Sequence, residues 1–248
     1  MNFFHHRANA LQGHPLLSKA ANEFLGTFVL IGTVCHCASA TAGAGDMAPV
    51  AIGLVLAAVI YSGAHVSGSH YNPAVSYMFW LKGDLTAYEY ASYSCAQYLA
   101  GFAAAGVVAS QLSASDTIGY PAVGAGSTAN EALSAEIMYT FVLCYVILSC
   151  ATVKATQGNP FYGFAIGLTV TACAYSVGGI SGGAFNPAVG LGPVIVAGKS
   201  AKNIWVYFAG PYVGAWCALF AFTVTNPNEF KTKEEIAGNL QESLLSPA

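Results

Sequence analysis

Charge is what this chain has least of. Asp, Glu, Lys and Arg make up 8% of its 248 residues, and Arg7 is the single arginine. Soluble domains carry about a quarter of their residues charged, so a water-soluble body is excluded. A net charge of −3 leaves no basic surface for nucleic acid. Catalytic patterns are missing as well: no Ser/His/Asp set and no cluster with metal-ligand spacing is recognisable, so neither an enzyme nor a cofactor is expected. The seven cysteines (Cys35, Cys37, Cys95, Cys144, Cys150, Cys173 and Cys217) all fall in apolar stretches. An odd count in such surroundings reads as buried thiols, not as a disulfide framework. Residues 1–19 have no apolar core, so no cleavable signal peptide is expected before the first span.

Apolar sequence is abundant. Hydrophobic residues amount to 55% and the mean hydropathy is +0.55. Six stretches approach the ~20 apolar residues that a bilayer requires, at roughly 20–40, 48–66, 86–110, 132–153, 160–179 and 203–225. Two further apolar segments, 72–80 and 186–197, are too short to cross. Breakers occupy the joints: Gly43 to Asp46, the 113–130 stretch with Gly119, Pro121, Gly124 and Gly126, and Gln157 to Pro160. The expected class is an all-α membrane protein with six transmembrane helices and two re-entrant half-helices.

The two halves repeat. Asn72-Pro73-Ala74 returns as Asn186-Pro187-Ala188, each inside Ser-Gly-x-x-x-Asn-Pro-Ala-Val, at an offset of 114. Glu23 and Thr27 match Glu136 and Thr140 at an offset of 113, and Ile52-Gly53-Leu54 matches Ile166-Gly167-Leu168 at 114. Each repeat holds three spans, an odd number, so the second enters the membrane inverted relative to the first. In lipid, non-helical backbone at mid-depth survives only buried in protein or lining a wet cavity, so the paired breaks point to a transport site. Asn is a favoured N-cap and Pro a favoured first helical residue; each triplet therefore opens a half-helix. The two positive dipole ends, about half an elementary charge each, converge near the bilayer centre. Together with the amide donors of Asn72 and Asn186 they admit water and oppose protons and cations. Asn72, Pro73, Ala74, Asn186, Pro187 and Ala188 form the expected pore centre.

By these motifs the chain resembles the aquaporins, or major intrinsic proteins, over about residues 18–225. Gln97 in the third span, Gly210-Pro211 in the sixth and His70 two residues before Asn72 add to the likeness. The resemblance implies one pore in each subunit of a homotetramer and passive water conduction. It assigns Glu23 and Glu136, expensive carboxyls in a membrane, to holding the re-entrant loops by accepting backbone hydrogen bonds, with a proton relay as the alternative. His70 falls at the cytoplasmic mouth, as a satisfied loop residue or a pH-sensitive gate. The family's filter positions fall on Ile52, Ala174, Gly183 and Val189. Here the sequence departs from its relatives, which almost always carry arginine at the position of Val189 and, in water channels, Phe or His at that of Ile52. Gly183 replaces the cysteine through which mercurials block many relatives, leaving Cys173, beside Ala174, as a secondary target. Gly190 and Val194 stand where glycerol-conducting relatives have Asp and a basic residue, which pulls back toward water.

The resulting expectation is a proton- and cation-excluding water channel whose apolar filter also admits small neutral solutes. One alternative is an aquaglyceroporin-like channel for glycerol, urea, ammonia or hydrogen peroxide with a low water rate. A secondary transporter is more distant, since it needs ion-coordinating residues at the midplane. The organisation expected is a cytoplasmic segment 1–18, a first repeat 19–112, a non-cytoplasmic loop 113–130, a second repeat 131–225 and a cytoplasmic tail 226–248. With six spans, Arg7, Lys19, Lys82, Lys154, Lys231 and Lys233 share one side and Lys199 and Lys202 the other. Cations concentrate inside, so both termini are expected in the cytoplasm, in a plasma or vacuole-type membrane.

Overall fold

The structure, a computed structural model, describes residues 15–230. Eight α-helices follow in order: α1 (Pro15–Cys37), α2 (Ala48–Ser67), α3 (Pro73–Lys82), α4 (Ala87–Gln111), α5 (Ala129–Ala151), α6 (Tyr162–Ser181), α7 (Pro187–Val196) and α8 (Val206–Thr225), with no strand among the described residues. The protein is thus all-α. Helices α3 and α7 have ten residues each, about 15 Å of rise and half a hydrocarbon core. Five of the six long helices are apolar and long enough to cross a membrane. The sixth, α4, has 25 residues but carries Glu89, Gln97 and several tyrosines. Its buried positions Tyr93, Gln97, Ala100, Ala104 and Val108 recur at helical spacing, so Tyr93 and Gln97 face protein, while Tyr88 is exposed.

The helix ends follow local rules. The described part of α1 begins at Pro15, ahead of the expected span and inside the 1–18 segment, and Lys19 pairs with Glu89 at 2.9 Å. Thr86 and Thr128 start α4 and α5 with complete capping boxes to Glu89 and Glu131.

Packing joins the halves where side chains are smallest. Helix α1 lies along α4, α5 along α8, and α2 crosses α6. At that crossing Gly53 and Gly167 meet backbone to backbone: a Cβ on either would strike the carbonyl of the other. Close approach through small residues is how membrane helices gain contact without a hydrophobic driving force. Thr171 Oγ1 donates to the Pro49 carbonyl at 3.0 Å and Tyr175 OH to that of Asp46 at 2.6 Å, fixing the same pair of helices.

The ends of the bundle differ. At one end, Lys19, Lys82, Lys154 and the 152–161 loop gather, the loop tied down by Tyr61 OH donating to the Pro160 carbonyl at 2.7 Å. At the other, the Asp116 carboxylate accepts from the amides of Thr41 (3.1 Å), Ala42 (3.1 Å) and Thr117 (2.7 Å). The Thr41 hydroxyl foremost, with these amides, holds the Asp116 carboxyl below its ordinary range, so the tie is intact at neutral pH. Lys199 lies at this second end, over the Tyr120 ring at 5.6 Å. Arg7, Lys231 and Lys233 lie outside the described residues.

Gly167→Val should overpack the α2–α6 crossing and destabilise the fold by on the order of 2 kcal/mol or more, read as a lower melting temperature in detergent. Gly32→Ala, where an added Cβ meets nothing within 4 Å, should leave melting unchanged. Equal melting of Gly167→Val and wild type would refute the crossing.

Candidate functional site

The site is built from the two segments that leave a long helix and re-enter as a short one. After α2 the chain turns through Gly68 (φ 87°), Ser69 (φ 54°) and Tyr71 (φ 50°); after α6 it turns through Gly182 (φ 84°), Gly183 (φ 64°) and Phe185 (φ 49°). The left-handed region costs a bulky residue on the order of 1–3 kcal/mol and persists only where its surroundings over-determine it. Tyr71 and Phe185 are both 1% exposed, and their restraints are visible.

Glu23 accepts from Ser67 Oγ (2.6 Å), the His70 amide (3.0 Å), the Tyr71 amide (2.7 Å) and Gln97 Nε2 (2.8 Å). Glu136 accepts from Ser181 Oγ (2.7 Å), the Ala184 amide (3.0 Å) and the Phe185 amide (2.7 Å). Both carboxylates are fully buried. A second matched pair completes each loop: Tyr93 OH donates to the Ser67 carbonyl at 2.9 Å and Tyr207 OH to the Ser181 carbonyl at 2.8 Å. That these two tyrosines pair at the repeat offset of 114 was not read from the sequence.

Asn72 and Asn186 then do two jobs each. As N-caps, their Oδ1 atoms accept from the amides of Ala74 and Ala188, both at 2.9 Å, with Pro73 and Pro187 opening the half-helices. Their Nδ2 atoms cross over: Asn72 donates to the Phe185 carbonyl at 2.8 Å and Asn186 to the Tyr71 carbonyl at 2.9 Å. Each amide carries two N–H groups, so one remains on each asparagine. The sequence alone suggested free donors; the structure commits half of them to clamping the loops together.

A cavity of about 620 Å³ runs along this clamp. Asn72, Asn186, His70, Ile52, Ala174, Gly183 and Val189 all line it. Pro73, Ala74, Pro187 and Ala188 do not; they are buried behind the asparagines. Glu23 and Glu136 are outside the lining too. Among the described residues no charged side chain lines the cavity. At one end it is rimmed by Tyr120 and Pro121, at the other by Cys150 and residues 156–160; the sequence marked Pro121 and Gln157 to Pro160 only as breakers and Cys150 only as a buried thiol. Cys173 is buried and absent from the lining, which corrects its place as the secondary thiol target: α6 turns it away from the lumen while α5 presents Cys150. His70 stacks on Phe79 with ring centroids 4.5 Å apart, and its Nδ1 lies 3.1 Å from Ser76 Oγ, which also accepts from Gln97 Nε2 at 2.9 Å. The ring is thereby tied to the Glu23 network while one edge faces the cavity.

Two half-helices aimed at a shared lumen, with no charged side chain lining it among the described residues, make a channel geometry. The chain matches the Major intrinsic protein family over residues 10–222. It belongs to that family. This major intrinsic protein is 33% identical over 221 residues to Aquaporin NIP1-3 of Oryza sativa subsp. japonica, covering 85% of this chain and 76% of that protein. It is 33% identical over 243 residues to Aquaporin NIP3-1 of Arabidopsis thaliana, covering 91% and 74% respectively. Among solved structures, the aquaglyceroporin from Plasmodium falciparum is similar in fold, with a TM-score of 0.73 at 22% identity, covering 86% of this chain and 98% of that one.

Removing an anchor should undo its loop. Glu136→Ala leaves two backbone amides and the Ser181 hydroxyl without an acceptor, each worth about 1–3 kcal/mol when buried. The variant should lose folded yield and melt well below wild type, with Glu136→Gln between them. Wild-type melting of Glu136→Ala would refute the anchoring.

Proposed function

We propose that the protein is a passive channel conducting water and small neutral solutes while excluding protons and cations. The observation that carries this reading is the convergence of Asn72 and Asn186, each with one N–H left over, on a cavity that no charged side chain among the described residues lines. Half-helix dipoles reinforce those donors with a positive potential at the centre. Water meets them oxygen first, which interrupts a proton-conducting chain, and a cation meets a barrier. A transporter would need an ion site here; Glu23 and Glu136 are consumed by the loops.

Permissiveness toward solutes is supported by the mouth. Ile52, Ala174, Gly183 and Val189 supply no charge, so width and not electrostatics limits passage. The names of the relatives, aquaporins of the NIP type and an aquaglyceroporin, are compatible with either emphasis. We place both termini in the cytoplasm, supported by Lys19, Lys82 and Lys154 at one end against Lys199 and Lys202 at the other, and we assign one pore to each subunit of a homotetramer.

In proteoliposomes, osmotic swelling should be fast and independent of ion gradients. Val189→Arg should narrow the mouth and cut urea or glycerol flux about tenfold, water flux far less. Replacing both Asn72 and Asn186 by Asp should raise cation leak, because the new charges oppose the half-helix dipoles. Unaltered selectivity in both variants at normal abundance would contradict the assignment.

Thiol chemistry gives an independent check on the lumen. A mercurial should block water flux through Cys150, and Cys150→Ser should abolish most of that block while Cys173→Ser leaves it intact. The reverse pattern would place the lumen against the wrong face of α5.

A further inference from the structure

The two half-helices are seated by different means. Behind α7 the packing is close: a Cβ on Gly192 would strike the backbone of Gly101, and one on Gly190 the side chain of Tyr207. Helix α3 has no glycine, and aromatic rings stand between it and its neighbours. Its Tyr77 meets Tyr212 of α8 edge to face, with ring centroids 5.2 Å apart at 87°, and lies 6.2 Å from Tyr90 of α4. Its Trp80 stacks on that same Tyr90 at 5.3 Å and 8°. Behind them Tyr98 and Tyr212 share a hydrogen bond at 3.1 Å, and Tyr98 stacks on Phe208 at 5.9 Å. Edge-to-face and offset-stacked rings at about 4.5–7 Å are the favourable arrangements for aromatic pairs. The inverted repeat does not require this cluster: at the offset of 114, Tyr77, Trp80 and Tyr90 correspond to Leu191, Val194 and Ile204.

The opposite face of α3 belongs to the pore. Val75 and Phe79 line the cavity, and Tyr77 does not. Tyr77 is two residues from each of them, about 200° around the helix. Phe79 in turn carries the His70 ring, stacked at 4.5 Å, and both rings line the cavity. We infer that the ring cluster of Tyr77, Trp80, Tyr90, Tyr98, Phe208 and Tyr212 seats α3 against the lumen and so sets the bore at Phe79 and His70. The asparagine clamp reaches α3 only at its N-terminal end, through Asn72. Farther along the helix the rings supply the support, and their thickness decides how far Phe79 stands into the lumen. Tyr77 is a positioning residue, since it acts through Phe79 and touches no solute. The inference rests on the channel reading above. It assigns this bore to residues separate from the mouth at Ile52, Ala174, Gly183 and Val189.

The test compares unit water permeability, measured by stopped-flow light scattering on proteoliposomes of the full chain and divided by the number of folded channels. Tyr77→Leu removes the ring behind Phe79 and keeps an apolar side chain. The helix then settles back, the bore widens, and unit permeability should rise about threefold, the weight of one lost aromatic pair. Tyr90→Leu withdraws the same support from α4, should raise permeability similarly, and serves where Tyr77→Leu does not accumulate. Tyr77→Phe keeps the ring and should match wild type. Phe220→Leu removes a ring from the Trp216–Phe220 stack on α8, which has no member on α3. It should match wild type in unit permeability even where it lowers melting. Because the mouth and Asn72 keep their contacts, the urea-to-glycerol flux ratio and cation exclusion should stay as in wild type. Unit permeability at or below wild type in both leucine variants overturns the inference and spares the channel. So does an equal rise in Tyr77→Phe or Phe220→Leu, because the ring behind α3 is then not the cause. A changed urea-to-glycerol ratio overturns the separation of this bore from the mouth. Wild type without water flux overturns the channel reading itself.

Discussion

Two buried carboxylates take the amide hydrogens that the re-entrant loops cannot share with any helix, and the rest of the site follows from that. In a membrane an unmet backbone N–H costs several kcal/mol, and no lipid supplies an acceptor. Glu23 and Glu136 each accept from two consecutive loop amides and a serine hydroxyl. That set of bonds fixes a conformation, with Tyr71 and Phe185 left-handed, which those side chains would otherwise avoid. A carboxylate suits the task better than an amide because it only accepts, and can take several donors at once.

Fixing the donors has a structural by-product. With the N–H groups given to the glutamates, the carbonyls of Tyr71 and Phe185 are free to accept from the asparagines of the opposite loop. The asparagines then bridge the two loops through Nδ2, so that the half-helices α3 and α7 are aimed at one another and neither can tilt alone. Helix dipole, capping and clamp share the same two side chains. The charge deficit of the sequence acquires a physical meaning here: the acids near the pore serve backbone, and the lumen is left to neutral polar groups.

Much of this was legible in the residues. The paired Asn-Pro-Ala and the offset of 114 led to the two half-helices, and the family resemblance supplied Ile52, Ala174, Gly183 and Val189, all of which line one cavity. Other features were not legible because they depend on tertiary direction, not on local pattern. Nothing in a triplet says that an asparagine amide will reach across to the other loop's carbonyl. Tyr93 with Tyr207, and Tyr98 with Tyr212, which share a hydrogen bond at 3.1 Å, obey the repeat offset, yet tyrosine in an apolar helix is common enough for such pairings to pass unnoticed. Cys150 and Cys173 look alike in sequence, and only the rotation of α5 and α6 decides which meets the lumen. Polar α4 reads as a weak span because it carries Glu89, Gln97 and several tyrosines, of which Tyr93 and Gln97 are buried against protein.

Hydrogen exchange at single-residue resolution, on the protein in lipid nanodiscs, tests the anchoring most directly. The loop amides of His70, Tyr71, Ala184 and Phe185 lie outside any helix and beside a water-filled lumen, so ordinary loop behaviour is exchange within seconds. Bonded to buried carboxylates, they should instead exchange as slowly as the interior amides of α1 and α5. Exchange at loop rates, with those helices still protected, would contradict the central place given to Glu23 and Glu136.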